Sequence, residues 1–171
     1  KHVFCGKAMA RTLEECKTVY DTYQNTNQVL YFCMQRMYDE KYIKAMQMIH
    51  SGLIGEVVGM RCHWFRNADW RRPVPSPELE RKINWRLYKE SSGGLMTELG
   101  SHQLEVCNWA IHKMPTHIMG MGDIVYWKDG REVYDSVNVT YRYSNGAKIA
   151  YESLISNKFN GMEEQILGHK G

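Results

Sequence analysis

The sequence lacks the features that mark several large classes of protein. No apolar run approaches the roughly 18 residues that a membrane-spanning helix needs. Lysine and arginine are scattered among acidic residues and the net charge is only +3, so we predict no nucleic-acid partner. With 43% hydrophobic and 24% charged residues, the 171-residue chain has the composition of one globular domain, or of one domain and part of another.

The cysteines are too dispersed to predict a metal site. They form no Cys-x-x-Cys pair and no cluster with histidine, and their number is odd. Their apolar surroundings favour buried free thiols, which fit a reducing compartment. The five are Cys5, Cys16, Cys33, Cys62 and Cys107. The first residues carry no signal-peptide pattern, which leaves a cytoplasmic location and, for a longer chain with a signal, a periplasmic one.

The first 36 residues have the pattern of a single βαβ unit. An apolar run at 2–5 predicts a short buried strand, and Thr12-Leu13-Glu14-Glu15 has the form of a capping box that starts a helix. A second apolar run at 28–33 predicts a parallel strand reached by a right-handed crossover. Because one such unit cannot make a stable sheet, we interpret residues 1–36 as the C-terminal remnant of a larger doubly wound domain.

Residues 37–171 are predicted to form a second domain of α+β type. A helix is expected from Asp39 to Gly52, a strand over 57–65, a long polar loop over 66–84, and a helix that ends near His112. The strand is expected to bury one face, made of Val58, Met60, Cys62 and Trp64.

The pattern after residue 115 indicates a largely antiparallel sheet. Three β runs, at about 117–127, 133–143 and 147–156, are joined by the hairpin signals Asp129-Gly130 and Asn145-Gly146. A fourth run at 165–168 reaches the end of the chain, so we expect this domain to be incomplete at its C-terminal end. The overall prediction is an α/β chain with a βαβ remnant followed by an α+β domain.

Three places carry residues suited to chemistry. Lys7 follows the first strand, at the edge where open α/β sheets bind ligands, although a solvated loop lysine is the alternative. Glu98, His102 and Glu105 recur at i, i+4 and i+7 after Gly93-Gly94, so they share a helix face. A carboxylate one turn from an imidazole can orient it and raise its basicity; the alternative is an ordinary surface pair.

The third place is an aromatic loop with interleaved arginines. It runs from Trp64 through Arg66, Trp70 and Arg72, and Trp85-Arg86 follows it. Such a mixture suits the faces and hydroxyls of sugar rings, and also phosphates or bases. Aromatic packing with arginines at the rim is an equal alternative by composition.

These motifs, in this order, resemble those of the Gfo/Idh/MocA oxidoreductase family, which includes glucose–fructose oxidoreductase and inositol dehydrogenase. The family has a strand followed by Glu-Lys-Pro, where this chain has Gly6-Lys7-Ala8. It has a tyrosine or phenylalanine after an arginine, matched by Gln35-Arg36-Met37-Tyr38. It has a Trp-Arg pair upstream of Gly-Gly-x-x-x-Asp-x-Gly-x-His, matched by Trp85-Arg86 and by Gly93 to His102, with Glu98 at the aspartate position.

The resemblance implies an N-terminal Rossmann domain and a C-terminal α/β domain whose large sheet often mediates oligomerisation. No Gly-x-Gly-x-x-Gly motif occurs in the chain, so most of the dinucleotide-binding segment is expected to lie outside it. Residues 1–36 are assigned to the Rossmann remnant, and residues 37–171 to the substrate-binding and oligomerisation domain.

The resemblance also implies roles for individual residues. The catalytic residues are expected to be Lys7, Glu98 and His102, with His102 as the general acid/base and Glu98 orienting the substrate or His102. The residues expected near the cofactor, NAD or NADP, are Lys7, Trp85 and Arg86. The residues expected around the substrate are Arg36, Tyr38 and His102, to which the aromatic loop adds Arg66 and Trp70. No metal ion is required for this chemistry.

The expected function is that of a fragment of an NAD(P)-dependent oxidoreductase acting on a hydroxyl of a sugar, sugar acid or cyclitol. The expected partners are a small carbohydrate or polyol and further copies of the chain, which would form a homo-oligomer through the C-terminal sheet. Two alternatives stay open: an NAD-dependent glycosidase of the same fold, and a non-catalytic carbohydrate-binding or oligomerisation fragment.

Overall fold

The computed structural model describes residues 1–171 and begins with the expected βαβ unit. Strands β1 (Val3–Gly6) and β2 (Leu30–Cys33) pair in parallel, and helix α1 (Leu13–Gln24) connects them. The capping box is confirmed: the Thr12 hydroxyl accepts from the Glu15 backbone N–H at 3.2 Å, and the Glu15 carboxylate accepts from the Thr12 N–H at 2.9 Å.

The prediction that β1 is buried is wrong. Val3 is 50% exposed and Phe4 is 73% exposed. The only strand beside β1 is β2, and the single helix α1 cannot cover both faces of this two-stranded sheet.

The rest of the chain forms a five-stranded sheet covered by helices on one face. Its strands are β3 (Val57–Asn67), β4 (His117–Asp123), β5 (Ser136–Arg142), β6 (Lys148–Leu154) and β7 (Ser156–Gly168), in the spatial order β4-β5-β6-β3-β7. Strands β3 and β6 pair in parallel, whereas the other three pairings are antiparallel. The predicted fold class, α/β with a largely antiparallel sheet, is confirmed.

Helices α2 (Glu40–His50) and α4 (Ser101–Ile111) pack on this sheet, and α4 continues directly from a π-helical turn (Met96–Gly100). Asp39 caps α2 as expected, accepting from the Lys41 N–H at 2.9 Å. The core between helices and sheet includes Met60, Cys62, Tyr141, Ile149 and Tyr151 from the strands, and Met46, Leu95, Leu99, Val106 and Ala110 from the helical side. The opposite side of the sheet is called the outer face below.

One residue of the expected buried face of β3 lies on the wrong side. Met60, Cys62 and Trp64 face the core, but Val58 is 53% exposed and Val57 is buried instead. A shift in the pairing register with β7 falls between Val57 and Gly59. Such a bulge reverses the alternation of side chains over the residues that precede it.

Strand β7 is much longer than the predicted run at 165–168. It starts at Ser156 and has 13 residues, all of them exposed or half-buried at the edge of the sheet. Since its first half carries few apolar residues, hydrophobic patterning could not reveal it. The two predicted hairpins, β4–β5 and β5–β6, are confirmed.

The polar segment over 66–84 is a loop with two short helical turns, Pro77–Leu79 and α3 (Glu80–Ile83), and a third turn, Trp85–Leu87, follows it. A buried ionic network fixes it. The fully buried Arg131 side chain donates to both carboxylate oxygens of Asp129, each at 2.8 Å, and to the Asp69 carbonyl oxygen at 2.7 Å. Arg71 binds the same Asp129 carboxylate at 3.0 Å and also pairs with Glu80.

All five cysteines are free, which confirms the expectation of free thiols. Only Cys62 and Cys107 are buried, and their sulfur atoms lie 3.5 Å apart across the core. None of the helices combines the length and apolarity that crossing a bilayer requires.

Candidate active site

A cavity of about 350 Å³ lies where the βαβ unit meets the helical side of the five-stranded sheet. Six of the residues predicted from the sequence line it: Lys7, Arg66, Trp70, Arg86, Glu98 and His102. Trp64 and Leu99 complete the lining. Residues from four separate segments of the chain therefore converge on one space.

Lys7 reaches the cavity from the loop that follows β1, where the Lys7–Ala8 peptide bond is cis. Its Nζ donates to the backbone carbonyl oxygen of Glu98 at 2.7 Å and lies 3.3 Å from Glu98 Oε2. Both side chains are largely buried, at 18% and 11% exposure. A charge-assisted contact of this kind fixes the ammonium group at the cavity wall.

Glu98 binds cations rather than the imidazole. Its Oε2 accepts from Arg86 Nε at 2.9 Å as well as from Lys7, and it makes no hydrogen bond to His102. The expected contact assumed a regular α-helix, but residues 96–100 form a wider π turn that changes the angle between positions 98 and 102. Glu98 thus shares its charge between two cationic side chains.

His102 is 6% exposed and its ring stacks on Trp64, with 5.6 Å between the ring centroids. Burial, reinforced by the positive charges of Lys7 and Arg36, lowers the pKa of His102 to about 4. The imidazole is therefore neutral near pH 7. Its Nδ1 is buried and has no hydrogen-bond partner.

Glu105, the third residue of the predicted face, lies outside the cavity lining. One of its carboxyl oxygens is buried without a hydrogen-bond partner. Burial raises the pKa of Glu105 to about 7, and the positive charge of Arg36 opposes that rise. Glu105 therefore belongs to the packing between α4 and the segment around Arg36.

Three further predicted residues do not line the cavity. Arg36 is buried in an ion pair with Glu164, and its guanidinium lies 5.5 Å from the Tyr42 ring centroid and 5.4 Å from that of Trp64. Tyr38 is 61% exposed, and its ring centroid lies 5.8 Å from that of Tyr31. Trp85 is 36% exposed and lies under the Arg86 guanidinium, 4.7 Å from it. Arg36 supports the cavity from behind Trp64, and Trp85 supports Arg86.

Sequence reasoning missed Glu164, which accepts from Tyr42 at 2.8 Å and pairs with Arg36. Arg36 and Glu164 are separated by 128 positions, and no local pattern links them. Trp64 was predicted to share a strand face with Met60 and Cys62 and to start the aromatic loop, but its stacking on His102 was not predicted.

Two tryptophans give the cavity aromatic walls. Trp64 stands on β3, and Trp70 follows in the loop with a left-handed backbone conformation at φ 63°. The Arg131–Asp129 network holds the carbonyl of Asp69, the residue before Trp70. The cavity thus combines aromatic surfaces, a neutral imidazole and three cationic side chains.

Comparisons with known proteins identify the family of the chain. Residues 42–171 match the family model of the GFO/IDH/MocA C-terminal domain. The chain is 27% identical over 112 residues to levoglucosan dehydrogenase of Pseudarthrobacter phenanthrenivorans, an alignment that covers 65% of this chain and 27% of that protein.

Solved structures share the whole fold. The structure of aldose-aldose oxidoreductase from Caulobacter crescentus, complexed with glycerol, superposes with a TM-score of 0.82 at 22% identity, covering 100% of this chain and 48% of that one. The WlbA dehydrogenase from Bordetella pertussis, in complex with NADH and UDP-GlcNAcA, superposes with a TM-score of 0.81 at 18% identity, covering 98% and 50%. The chain spans about half the length of these structures. It belongs to the Gfo/Idh/MocA family.

Proposed function

We propose that the chain is the substrate-binding half of an NAD(P)-dependent oxidoreductase that oxidises a hydroxyl group of a sugar, a sugar acid or a cyclitol. Residues 1–36 would be the end of its dinucleotide-binding domain, and residues 37–171 most of its substrate domain. The observation that carries the proposal is the neutral, buried His102 beside Lys7 in a cavity with aromatic walls.

The roles of the cavity residues follow from their protonation. A neutral imidazole accepts a proton, and because Nδ1 of His102 is buried, Nε2 is the nitrogen left to take it from the substrate hydroxyl. The Lys7 ammonium, held by Glu98, stabilises the negative charge that develops on the same oxygen. The tryptophan faces pack against the apolar faces of a sugar ring.

The residues present fit the nicotinamide end of a dinucleotide. Lys7 and Arg86 border the cavity, and Trp85 lies beside Arg86. When bound, the cofactor supplies the acceptor for the hydrogen and electron pair that leave the carbinol carbon. The chain contains no Gly-x-Gly-x-x-Gly loop, so the proposal assigns only this end of the cofactor to residues 1–171. The levoglucosan dehydrogenase and the NADH-bound WlbA dehydrogenase support both the cofactor and the substrate class.

Exposed apolar side chains on the outer face of the sheet support the proposal that the protein is a homo-oligomer. Met119 and Met121 on β4 are 74% and 81% exposed, and their register partners are Thr140 and Asn138 on β5. Neighbouring apolar side chains left in water on an edge strand are typical of an interface. Light scattering of the full-length protein, with Met121→Glu as the disrupting variant, tests this.

The proposed reaction is tested with the full-length protein that contains this chain. Reduction of NAD and of NADP is followed over a panel of sugars, sugar acids and cyclitols. His102→Asn should lower kcat by about 10² to 10⁴, the range for loss of a general base. His50→Asn, at an exposed position at the end of α2 and outside the cavity lining, is the matched control and should leave kcat unchanged. Bound cofactor with no reduction by any substrate in the panel would contradict the proposal.

A further inference from the structure

We infer that the cavity selects a sugar that carries a carboxylate, and that Arg66 is the residue that binds this carboxylate. The inference rests on the proposed function, because it names the substrate class of the same site. It starts from the balance of charge among the residues that line the cavity.

The cavity holds more positive than negative charge. Its lining includes three cations, Lys7, Arg66 and Arg86, and a single carboxylate, that of Glu98. Glu98 is shared by Lys7 and Arg86, and His102 is neutral near pH 7. Two positive charges are therefore left uncompensated around a space with low-dielectric tryptophan walls, where attraction for an anion is strengthened.

Arg66 is the cation without a partner. The other two cations of the cavity lining, Lys7 and Arg86, both bind Glu98, and Arg36, which lies behind Trp64, pairs with Glu164. Arg66 forms no ion pair and no side-chain hydrogen bond, and its side chain is exposed to the solvent of the cavity. Its guanidinium is free to receive an anion in the bidentate fork that suits a carboxylate.

The position of Arg66 matches the exocyclic end of a bound sugar. Arg66 comes two residues after Trp64 near the end of β3, and a shift in the pairing register with β7 falls between them. Both residues line the cavity. A sugar ring packed against Trp64 and Trp70 would place its reacting hydroxyl toward His102 and Lys7. A carboxylate on the ring's other side would then meet Arg66. A cavity of about 350 Å³ lies at the small end of ligand sites, which favours a monosaccharide.

The phosphates of the dinucleotide are the other possible source of an anion for Arg66. The two sources differ in what a substitution changes. If Arg66 binds the substrate carboxylate, Arg66→Gln alters discrimination between acidic and neutral sugars; if it binds a phosphate, the same change alters the affinity for NADH.

The experiment compares matched substrates that differ only at one carbon, glucuronate with glucose and galacturonate with galactose. With the full-length protein we expect kcat/KM to be at least tenfold higher for the acid of the preferred pair. Arg66→Gln should reduce that ratio by about tenfold to a hundredfold, the equivalent of one charge-assisted hydrogen bond, and Arg66→Lys should restore part of it. The acid preference should also fall as salt is raised.

Arg61→Gln is the matched control, because Arg61 stands on the same strand but lines the outer face. It should leave the ratio unchanged. A wild-type ratio of one or less, or a ratio that Arg66→Gln does not move, overturns the inference. Weaker NADH binding by Arg66→Gln with an unchanged ratio also overturns it and assigns Arg66 to a phosphate.

Failure of the proposed function has a separate signature. Oxidation of neutral sugars in preference to acids supports the dehydrogenase and rejects the carboxylate site. If no sugar is oxidised, calorimetry with the NADH-loaded protein still tests the inference, by comparing the affinities for the acid and the neutral sugar of each pair. An acid that binds at least tenfold more tightly, with a preference that Arg66→Gln removes, supports the inference. Equal affinities for the two sugars reject it.

Discussion

Lys7 and Glu98 form a contact between two segments that are 91 positions apart: the Lys7 ammonium donates to the Glu98 backbone carbonyl oxygen at 2.7 Å and pairs with its carboxylate. The contact ties the loop of the βαβ unit to the π turn before α4. The geometry of the candidate site is therefore set jointly by both parts of the chain, and neither could form it alone.

Glu98→Gln is expected to lower kcat/KM of the full-length protein by about tenfold to a hundredfold, because hydrogen bonds to charged groups contribute about 1.5–3 kcal/mol. The substitution removes the charge that Lys7 and Arg86 share while keeping the size of the side chain. Glu98→Asp, which keeps the charge, should lose less. Glu90→Gln is the control, since Glu90 is 59% exposed and pairs only with Arg81. Equal activity of Glu98→Gln and Glu90→Gln would contradict the role given to Glu98.

The protonation of His102 can be observed directly. Its imidazole should titrate near pH 4 in an NMR experiment, well below the ordinary value of 6.5, because it is buried beside Lys7 and Arg36. Lys7→Met removes one of these positive charges, so the pKa of His102 should rise. An unchanged midpoint in Lys7→Met would show that Lys7 does not contribute to the lowered pKa, and a wild-type midpoint at or above 6.5 would contradict the neutral imidazole.

Glu105 should make the stability of the chain depend on pH. Its pKa is raised from 4.5 to about 7 in the folded state, so its favourable contribution is complete below pH 4.5 and is lost as pH rises to 7. Glu105→Gln stays neutral throughout. We therefore expect the variant to gain stability over the wild type between pH 4.5 and 7, by on the order of 1 kcal/mol at pH 8 once solvent screening is allowed for.

Urea denaturation at pH 4 and at pH 8 measures the effect of Glu105→Gln. His102 changes the stability with pH in the opposite direction. Because its pKa is lowered in the folded state, its contribution to stability is present above pH 6.5 and is lost as pH falls from 6.5 to 4. It is present in both proteins and cancels in the comparison. A larger gain at pH 4 than at pH 8 would refute the assignment to Glu105.

Arg131→Met should be strongly destabilising, by about 3–5 kcal/mol, because it leaves a largely buried carboxylate without its main partner. Arg131 and Arg71 hold the pKa of Asp129 well below its usual range, and after the substitution only Arg71 would still pair with this carboxylate. Arg81→Met is the matched control: Arg81 pairs with the carboxylates of Glu90 and Glu132, but it is 53% exposed, so its loss should cost far less stability. Equal losses in urea denaturation would show that burial does not decide the strength of these ion pairs.

The sequence allowed the local elements to be predicted, and six of the residues that it singled out line one cavity. The capping box at Thr12, the cap at Asp39 and the hairpins follow from short-range rules, and each of these is present. The expectation that Lys7, Glu98 and His102 act together was based on the order of motifs that the chain shares with the family. Motif order carries information about distant residues that hydrophobic periodicity does not carry.

What escaped prediction depends on contacts between distant residues or on single-residue irregularities. Glu164 has no neighbour in sequence that reveals its pairing with Arg36, and Arg131 follows a hairpin signal that says nothing about Asp69. The bulge before Gly59 moved Val58 to the wrong face, and the π turn removed the expected contact between Glu98 and His102. Neither irregularity has a signal in hydrophobic spacing.

The π turn at Met96–Gly100 makes the catalytic arrangement sensitive to the number of residues as well as to their identity. It holds one residue more per turn than an α-helix needs, and each residue of an α-helix accounts for roughly 100° of rotation. Removing one residue between Glu98 and His102 would turn Glu98 by about 100° relative to α4, away from Lys7 and Arg86. A chain shortened by a single residue at this turn would lose the pairing of these charges although every one of the paired side chains is still present, so the site depends on the length of this segment as well as on its composition.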